Sequence, residues 1–166
     1  MPSKQRRYSL KSKEAKQILS EASQRFKLDL EKLFGSKANI EVVESEVGKI
    51  YLINAKPLMF KADTVLPLLG FNEFISAAPK ITVDMGAVPY VCKGANVMAP
   101  GIRKVEGEFA TGDLVVVVDE KYGKALALGE SMFDAEVLRE TKKGPVIKTL
   151  HHVSDKYWDA TKLLSE

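Results

Sequence analysis

The strongest constraint on the fold is the run LVVVV at Leu114–Val118, in which five apolar residues are consecutive and four are valine. β-Branched side chains fit the pleated surface of a sheet, so the run predicts a strand. A strand with one solvated face alternates apolar and polar residues, and this run does not alternate. The sequence therefore predicts a strand that is buried on both of its faces.

Short apolar segments on both sides of this run are separated by glycine and proline. The candidate strands are Ile81–Val83, Ala125–Leu128, Ala135–Leu138 and Val146–Leu150, and the separators are Gly123, Gly129 and Gly144-Pro145. Short strands at such spacing predict a small barrel or a compact curled sheet. A short helix is predicted over residues 87–93, and a closing helix over Asp155–Ala160 with Trp158 packed inward.

A helical segment is predicted near the start of the chain. Ser12 is the expected helix N-cap. The apolar residues that follow it at helical spacing are Ala15, Ile18, Leu19, Ala22 and Phe26. Such a stripe predicts a helix with one buried face. A second short helix should end at Gly35, since glycine accepts the left-handed conformation of a helix C-terminus.

Strands and a boundary are predicted for the residues that follow. The candidate strands are Ile40–Glu44, Lys49–Ile53 and Pro57–Phe60. Residues 63–69 are apolar but contain Pro67, so we predict at most a short helix there. Pro79 disfavours the helical conformation in the residue before it, which favours a boundary at Ala77-Ala78-Pro79. The predicted fold class is α+β, with domains at residues 1–78 and 79–160 and a C-terminal tail at 161–166.

Positive charge is concentrated at the start of the chain. Residues 1–37 carry ten Lys or Arg and four Asp or Glu, whereas residues 80–166 carry twelve and thirteen. A basic lobe attracts polyanions over about one Debye length, roughly 8 Å at physiological salt. A solubilising surface without a ligand explains the same charge equally well.

The single cysteine, Cys92, excludes an intrachain disulfide and a cysteine-rich zinc site. It lies in the apolar stretch Val88–Cys92, which predicts a buried and inert thiol. No apolar run approaches the roughly 18 residues that would span a membrane. The basic N-terminus lacks the hydrophobic core of a signal peptide, so we predict a cytoplasmic protein.

An enzymatic function is not indicated by any motif. Adjacent strand residues point to opposite faces, so His151 and His152 cannot easily hold one metal ion, and a packing or turn role is predicted. The chain contains no Walker-type phosphate loop and no GxGxxG dinucleotide motif. We therefore predict no catalytic residue, no metal and no cofactor.

The segment KGANVMAPGI, at Lys93–Ile102, combines two glycines, one proline and several small residues. Glycine lets a backbone approach a ligand closely, and exposed N–H groups can contact phosphate or ribose. An ordinary turn that leads into a strand has the same composition. The spacing alone does not decide between a binding loop and a turn.

The stretch VPYVCKGANVMAPGI, followed by GDLVVVV and ALALG, resembles the signature of PUA domains, named after pseudouridine synthases and archaeosine transglycosylases. This resemblance implies a pseudobarrel of about six strands with short helices. In the family, the first helix and the loop after it hold structured RNA. The positions that match this loop are Gly94, Ala95, Val97, Pro100, Gly101 and Ile102. Asn96 stands where many members have Asp, which removes a negative charge from the expected RNA face.

The N-terminal RRYSLKSKEAKQIL resembles the pre-PUA domain of a narrower group. That group comprises archaeal proteins similar to the malignant-T-cell-amplified sequence protein and to the N-terminal part of ligatin. Its eukaryotic members act at the small ribosomal subunit, often with a partner related to initiation factor 1. The resemblance implies a non-catalytic RNA-binding protein of translation that holds a tRNA 3′ acceptor end. A subunit of an RNA-modification complex and a protein-interaction adaptor remain alternatives.

Further RNA contacts are predicted beside the loop and in the other lobe. Tyr90 could stack on a base, although a core tyrosine fits the same sequence. The cations next to the loop are Lys93, Arg103 and Lys104. Possible secondary contacts to tRNA or ribosomal RNA are Lys4, Arg6, Arg7, Lys11 and Lys13.

Overall fold

A computed structural model describes residues 5–164 and shows two β-sheets that pack together, with helices around them. This confirms the predicted α+β class. No helix within the described range is long and apolar enough to cross a membrane.

The N-terminal region, residues 5–78, is a five-stranded antiparallel sheet with three helices. Its elements are β1 (Arg6–Ser9), α1 (Ser12–Phe26), α2 (Leu30–Phe34), β2 (Ile40–Ser45), β3 (Gly48–Ile53), β4 (Lys56–Lys61), β5 (Val65–Pro67) and α3 (Asn72–Ala77). The strands lie in sequence order, each beside the next. The predicted stripe of α1 is buried at Ala15, Leu19, Ala22 and Phe26, so the helix covers this core with one face.

The C-terminal region, residues 79–164, contains a six-stranded sheet. Its elements are β6 (Lys80–Val83), α4 (Val88–Val91), β7 (Val97–Met98), β8 (Ile102–Glu106), β9 (Leu114–Asp119), β10 (Ala125–Ser131), α5 (Ala135–Glu140), β11 (Pro145–His152) and α6 (Lys156–Leu164). The strand order is β7-β11-β10-β9-β6-β8. The edge strands β7 and β8 are joined by one 3₁₀ turn, Ala99–Gly101. Because so short a link joins the two edges, the sheet must curl into a barrel-like shape.

The prediction that the LVVVV run is buried on both faces is confirmed. Every residue of β9 is buried. Leu114, Val116 and Val118 belong to the core shared with the N-terminal region. Val115 and Val117 belong to the separate core inside the curled sheet. The lack of alternation in the sequence therefore reflects one strand placed between two cores.

Polar contacts also join the two regions at the end of α1. Arg25 donates from Nη1 to the carbonyl oxygen of Gly112 and from Nη2 to Oε2 of Glu130, 2.6 Å away. Lys27 Nζ lies 2.6 Å from Oδ2 of Asp113. These contacts fix the C-terminal end of α1 against the curled sheet.

Two of the predicted elements are wrong in type. Residues 135–138 form the start of helix α5, in which Ala135 and Leu138 are buried. The spacing of three residues between Ala135 and Leu138 is typical of a helix. A single β-branched residue, Val137, is not sufficient for a strand. The segment around Pro67 contains strand β5 instead of a helix. Proline is tolerated there because β5 is an edge strand.

Two predicted ends are also corrected. The helix α1 is capped by Lys11, which has extended dihedral angles, and Ser12 is its first residue. Ala15 N–H donates to the carbonyl oxygen of Lys11, which places the cap one residue earlier than the serine suggested. Helix α6 continues to Leu164, so residues 161–164 of the predicted tail are helical.

Candidate nucleic-acid interface

A surface groove lies between α4 and the segment that carries β7. It encloses about 540 Å³. Its lining residues are Gly86, Ala87, Tyr90, Val91, Ala95, Asn96, Val97, Met98, Gly101 and Pro145. Half of the predicted binding segment Lys93–Ile102 therefore borders one cavity, together with Tyr90.

Local backbone chemistry shapes the groove. Pro89 lies in the first turn of α4, where its missing N–H is not needed. The chain then turns back at Gly94, which has a φ of +91°. Ala95 N–H donates to the carbonyl oxygen of Tyr90 over 3.0 Å. This turn carries the following residues along the side of α4 and so forms the second wall.

Two large side chains are exposed on the groove. Tyr90 is 67% exposed and Met98 is 49% exposed. The alternative of a core tyrosine is wrong, because the ring of Tyr90 is not packed into either core. An exposed ring beside a flexible thioether offers a flat apolar surface of the kind on which nucleobases stack.

Thr149 on β11 holds the loop in place. Its hydroxyl donates to the carbonyl oxygen of Ala95 over 2.8 Å, and its N–H donates to Oδ1 of Asn96 over 3.2 Å. The side chain of Asn96 is thus partly occupied by the protein itself. Sequence reasoning missed Thr149, although it is a polar residue that follows Lys148 in an apolar strand.

Two of the predicted RNA-binding side chains pack against the core of the curled sheet. Val97 is 2% exposed and lies in the core of the curled sheet. Ile102 is half-buried against the same core. A Cβ on Gly101 would lie 3.3 Å from Cβ of Ala87, so glycine there permits a close approach to the base of α4. Val97 and Gly101 thus line the groove and also fix its shape.

The two cations that follow the loop are engaged by carboxylates. Arg103 lies 3.3 Å from Asp84 and 3.5 Å from Glu120. Lys104 Nζ lies 2.6 Å from Glu106, and this contact holds the pKa of the glutamate below its usual value. Their charge is therefore largely balanced before any RNA binds.

Four exposed lysines near the groove have no carboxylate partner within residues 5–164. They are Lys93, Lys142, Lys143 and Lys148. Gly144, next to Lys143, accepts a hydrogen bond from the N–H of Ala99 over 2.9 Å. Lys142, Lys143 and Lys148 were not predicted from the sequence, because they lie far beyond the loop along the chain. Unbalanced positive charge on a rim of this kind attracts phosphate.

Comparison with known proteins identifies both parts of the chain. A PUA domain model matches residues 79–153, and the model of a domain of unknown function (DUF1947) matches residues 6–71. An uncharacterised protein of Methanocaldococcus jannaschii is 33% identical over 158 residues, covering 93% of this chain and 96% of that protein. Translation machinery-associated protein 20 of Saccharomyces cerevisiae is 32% identical over 139 residues, covering 78% and 77%.

The chain belongs to the family of translation machinery-associated protein 20. Malignant T-cell-amplified sequence 1 of Rattus norvegicus is 28% identical over 138 residues, covering 78% of this chain and 75% of that protein. The resemblance found in the sequence is therefore confirmed. A crystal structure of a hypothetical protein from Pyrococcus horikoshii superimposes with a TM-score of 0.77 at 32% identity, covering 94% of this chain and 99% of that one.

In this member of the translation machinery-associated protein 20 family, the predicted secondary contacts that the structure describes do not line the groove. Lys4 lies outside the described residues. Arg7 makes a bidentate contact with Glu41 at 2.8 and 3.1 Å, and Arg6 lies 3.7 Å from Glu44. Lys11 and Lys13 are exposed at the start of α1. That helix meets the C-terminal region at its other end, about 18 Å further along at 1.5 Å per residue.

The histidine, cysteine and carboxylate side chains remain as candidates for metal binding or nucleophilic chemistry. Within the described range, no three His, Cys, Asp or Glu residues are placed to hold a metal ion. Cys92 is half-buried, not fully buried as predicted, and burial raises the pKa of its thiol. A raised pKa keeps the thiol protonated and poorly nucleophilic.

Proposed function

We propose that the chain binds RNA in translation and holds the single-stranded 3′ acceptor end of a tRNA in the groove beside α4. The observation that carries the proposal is the pairing of an exposed Tyr90 and Met98 with a rim of unbalanced lysines. RNA ends are suited to such a site because their bases are unstacked, and the 2′-hydroxyl distinguishes them from DNA.

Each part of the groove has a defined task in this proposal. A terminal base stacks on Tyr90, which contributes about 1–3 kcal/mol. The backbone around Ala95 contacts sugar and phosphate, since Thr149 keeps that loop in position. Lys93, Lys142 and Lys143 neutralise the phosphates of the nucleotides that lead into the groove.

The family supports a proposal for the setting of this binding. The yeast relative is named as a translation machinery-associated protein, which supports a role in translation. We propose that the chain acts in the cytoplasm, at the small ribosomal subunit, in initiation, re-initiation or recycling. A partner related to initiation factor 1 belongs to the same proposal. No catalytic step is part of it.

Fluorescence anisotropy with tRNA labelled at its 5′ end tests the groove. Intact tRNA and tRNA without its 3′ CCA are titrated with wild type and with Ala95→Glu, which places a carboxylate in the groove on an exposed residue. Ala62→Glu, in the exposed turn after β4, is a control of equal charge. We expect wild type and the control to prefer intact tRNA by about tenfold, which corresponds to one stacked base.

Loss of that preference in Ala95→Glu alone supports the groove as the reader of an RNA end. Equal affinity of wild type for both tRNA forms contradicts it. Sedimentation of wild type with small ribosomal subunits tests the setting. Tight tRNA binding without sedimentation favours a subunit of an RNA-modification complex, and absence of both favours a protein-interaction adaptor.

A further inference from the structure

The adjacent histidines at the end of β11 contact different parts of the molecule. His151 is 1% exposed and faces the N-terminal region, with its ring centroid 5.1 Å from that of Phe60. Its Nε2 accepts a hydrogen bond from the N–H of Leu69 over 3.2 Å. Because an N–H can only donate, Nε2 carries no proton, and Nδ1 is the donor of the ring.

His152 points the other way, towards the groove loop. Its Nδ1 lies 2.8 Å from the carbonyl oxygen of Val153, so this nitrogen donates and the ring orientation is set. A Cβ on Gly94 would lie 3.1 Å from Nε2 of His152. The ring edge therefore lies against the turn at which the loop of residues 92–96 reverses.

Asp155 joins the two histidines. Its Oδ2 accepts from Nδ1 of His151 over 2.7 Å and from the N–H of His152 over 2.9 Å. Its Oδ1 accepts from the N–H of Trp158 over 2.8 Å at the start of α6. Burial opposes ionisation of this carboxyl, but these hydrogen bonds outweigh it and lower its pKa. The carboxylate thus accepts three protein donors, and its position is tightly defined.

We propose that His152 is a positioning residue for the RNA-binding loop, and that Asp155 and His151 tie it to Leu69 of the N-terminal region. This proposal rests on the proposed function, because the loop it positions is the wall of the groove. A set of hydrogen bonds runs from Leu69 through His151 and Asp155 to His152, whose ring edge lies beside Gly94. The pre-PUA part of the chain then serves to hold the groove in its binding conformation, and the two regions need each other for tight binding.

The experiment combines ¹H–¹⁵N spectra of the full chain with RNA titrations. Asp155→Asn replaces an acceptor with a side chain that can present N–H groups to the two histidine donors. Asp159→Asn is the matched control, since it makes the same charge change in α6 at an exposed residue. We expect Asp155→Asn to move the Gly94 and Ala95 amide resonances and to weaken tRNA binding about threefold through lost preorganisation.

His152→Ala is the second variant, because it keeps Asp155 and the start of α6 intact if Asp155→Asn does not fold. It should move the same two amides and weaken tRNA binding to a similar extent, while the amide of Gly123, in the distant hairpin after β9, stays in place. Thermal unfolding monitored by circular dichroism confirms that each variant is folded.

Unchanged Gly94 and Ala95 resonances in His152→Ala, relative to Asp159→Asn, would overturn the positioning role. Moved resonances together with wild-type tRNA affinity in both variants would overturn it as well. Failure of the proposed function is a separate result, because it shows as an absence of RNA binding by the wild-type chain.

Discussion

The N-terminal and C-terminal regions differ in net charge and in their exposed aromatic side chains. Residues 1–37 carry the excess of positive charge, whereas residues 80–166 are almost neutral. Yet the two exposed tyrosines of the described chain, Tyr90 and Tyr122, both lie in the C-terminal region. No aromatic side chain within residues 5–78 is exposed. The groove of the C-terminal region therefore combines features that the basic lobe lacks.

The difference shows why net charge is a weak guide to a binding site. In the N-terminal region, both described arginines of β1 lie near glutamates. Near the groove, the carboxylates engage Arg103 and Lys104 and leave Lys142 and Lys143 unbalanced. A region of almost zero net charge can thus present a local positive surface. We expect the basic lobe to add general attraction and the groove to add preference for an RNA end.

The largest expected effect comes from removing the lysines around the groove. Lys93, Lys142 and Lys143, changed together to Gln, should lower tRNA affinity about 100-fold at 0.1 M salt. The slope of log affinity against log salt should decrease by about three, one for each lost phosphate contact. Anisotropy titrations over a series of salt concentrations measure both quantities.

The control for this variant has Lys11, Lys13 and Lys16 changed to Gln, which removes the same charge from the start of α1. We expect it to lower the affinity by less than about tenfold, since those lysines act over a distance and are screened. A loss equal to that of the groove variant would show that the basic lobe is the principal RNA-binding surface.

The next largest effect is a difference in RNA affinity between variants of two exposed tyrosines. Tyr90→Ala should weaken binding of a single-stranded 3′ end by about 5- to 150-fold, because one stacked base contributes about 1–3 kcal/mol. Tyr122→Ala removes a ring that is 72% exposed on the hairpin after β9, outside the groove, and should leave the affinity unchanged. If the two variants lose affinity equally, the stacking surface is not specific to the groove.

A smaller effect compares two glycines with almost equal backbone angles. Gly94 has a φ of +91° and faces the His152 ring, whereas Gly112 has a φ of +90° and open space where a Cβ would lie. Alanine at either position should lower the free energy of unfolding by about 1–2 kcal/mol because of the left-handed conformation. Gly94→Ala should lose about 1 kcal/mol more through the steric contact. Urea denaturation measures the difference. Equal losses of unfolding free energy in the two variants would show that the His152 ring moves aside without cost.

The smallest effect concerns Arg7 on β1. Arg7→Gln should reduce stability at pH 7 only slightly, because solvent screens an exposed ion pair, and should leave tRNA affinity unchanged. The hydrogen bond from Arg7 holds the pKa of Glu41 below its usual value. The stabilisation is therefore present at neutral pH and is lost as the pH falls through the pKa of folded Glu41. Urea denaturation at pH 7 and pH 2 should show that the difference between the two proteins disappears in acid.

Local patterns in the sequence were sufficient for much of the fold. The stripe of α1 and the run in β9 could be predicted because helical and strand periodicities are properties of neighbouring residues. The same method was wrong for Ala135–Leu138, where a short apolar segment fits a helix or a strand. It was also wrong for the segment around Pro67, because tolerance of proline depends on whether a strand lies at the edge of its sheet.

The sequence by itself determined the α+β class, the family resemblance and the position of the loop at Lys93–Ile102. Only the tertiary structure decided which charges near that loop are free. Arg103 meets Asp84 and Glu120 from two other segments, and Lys142 and Lys143 approach the groove through the pairing of β7 with β11. The contact of His151 with Leu69 likewise spans 82 residues. Contacts between distant segments depend on how the two sheets pack, and no local pattern of residue types encodes that packing.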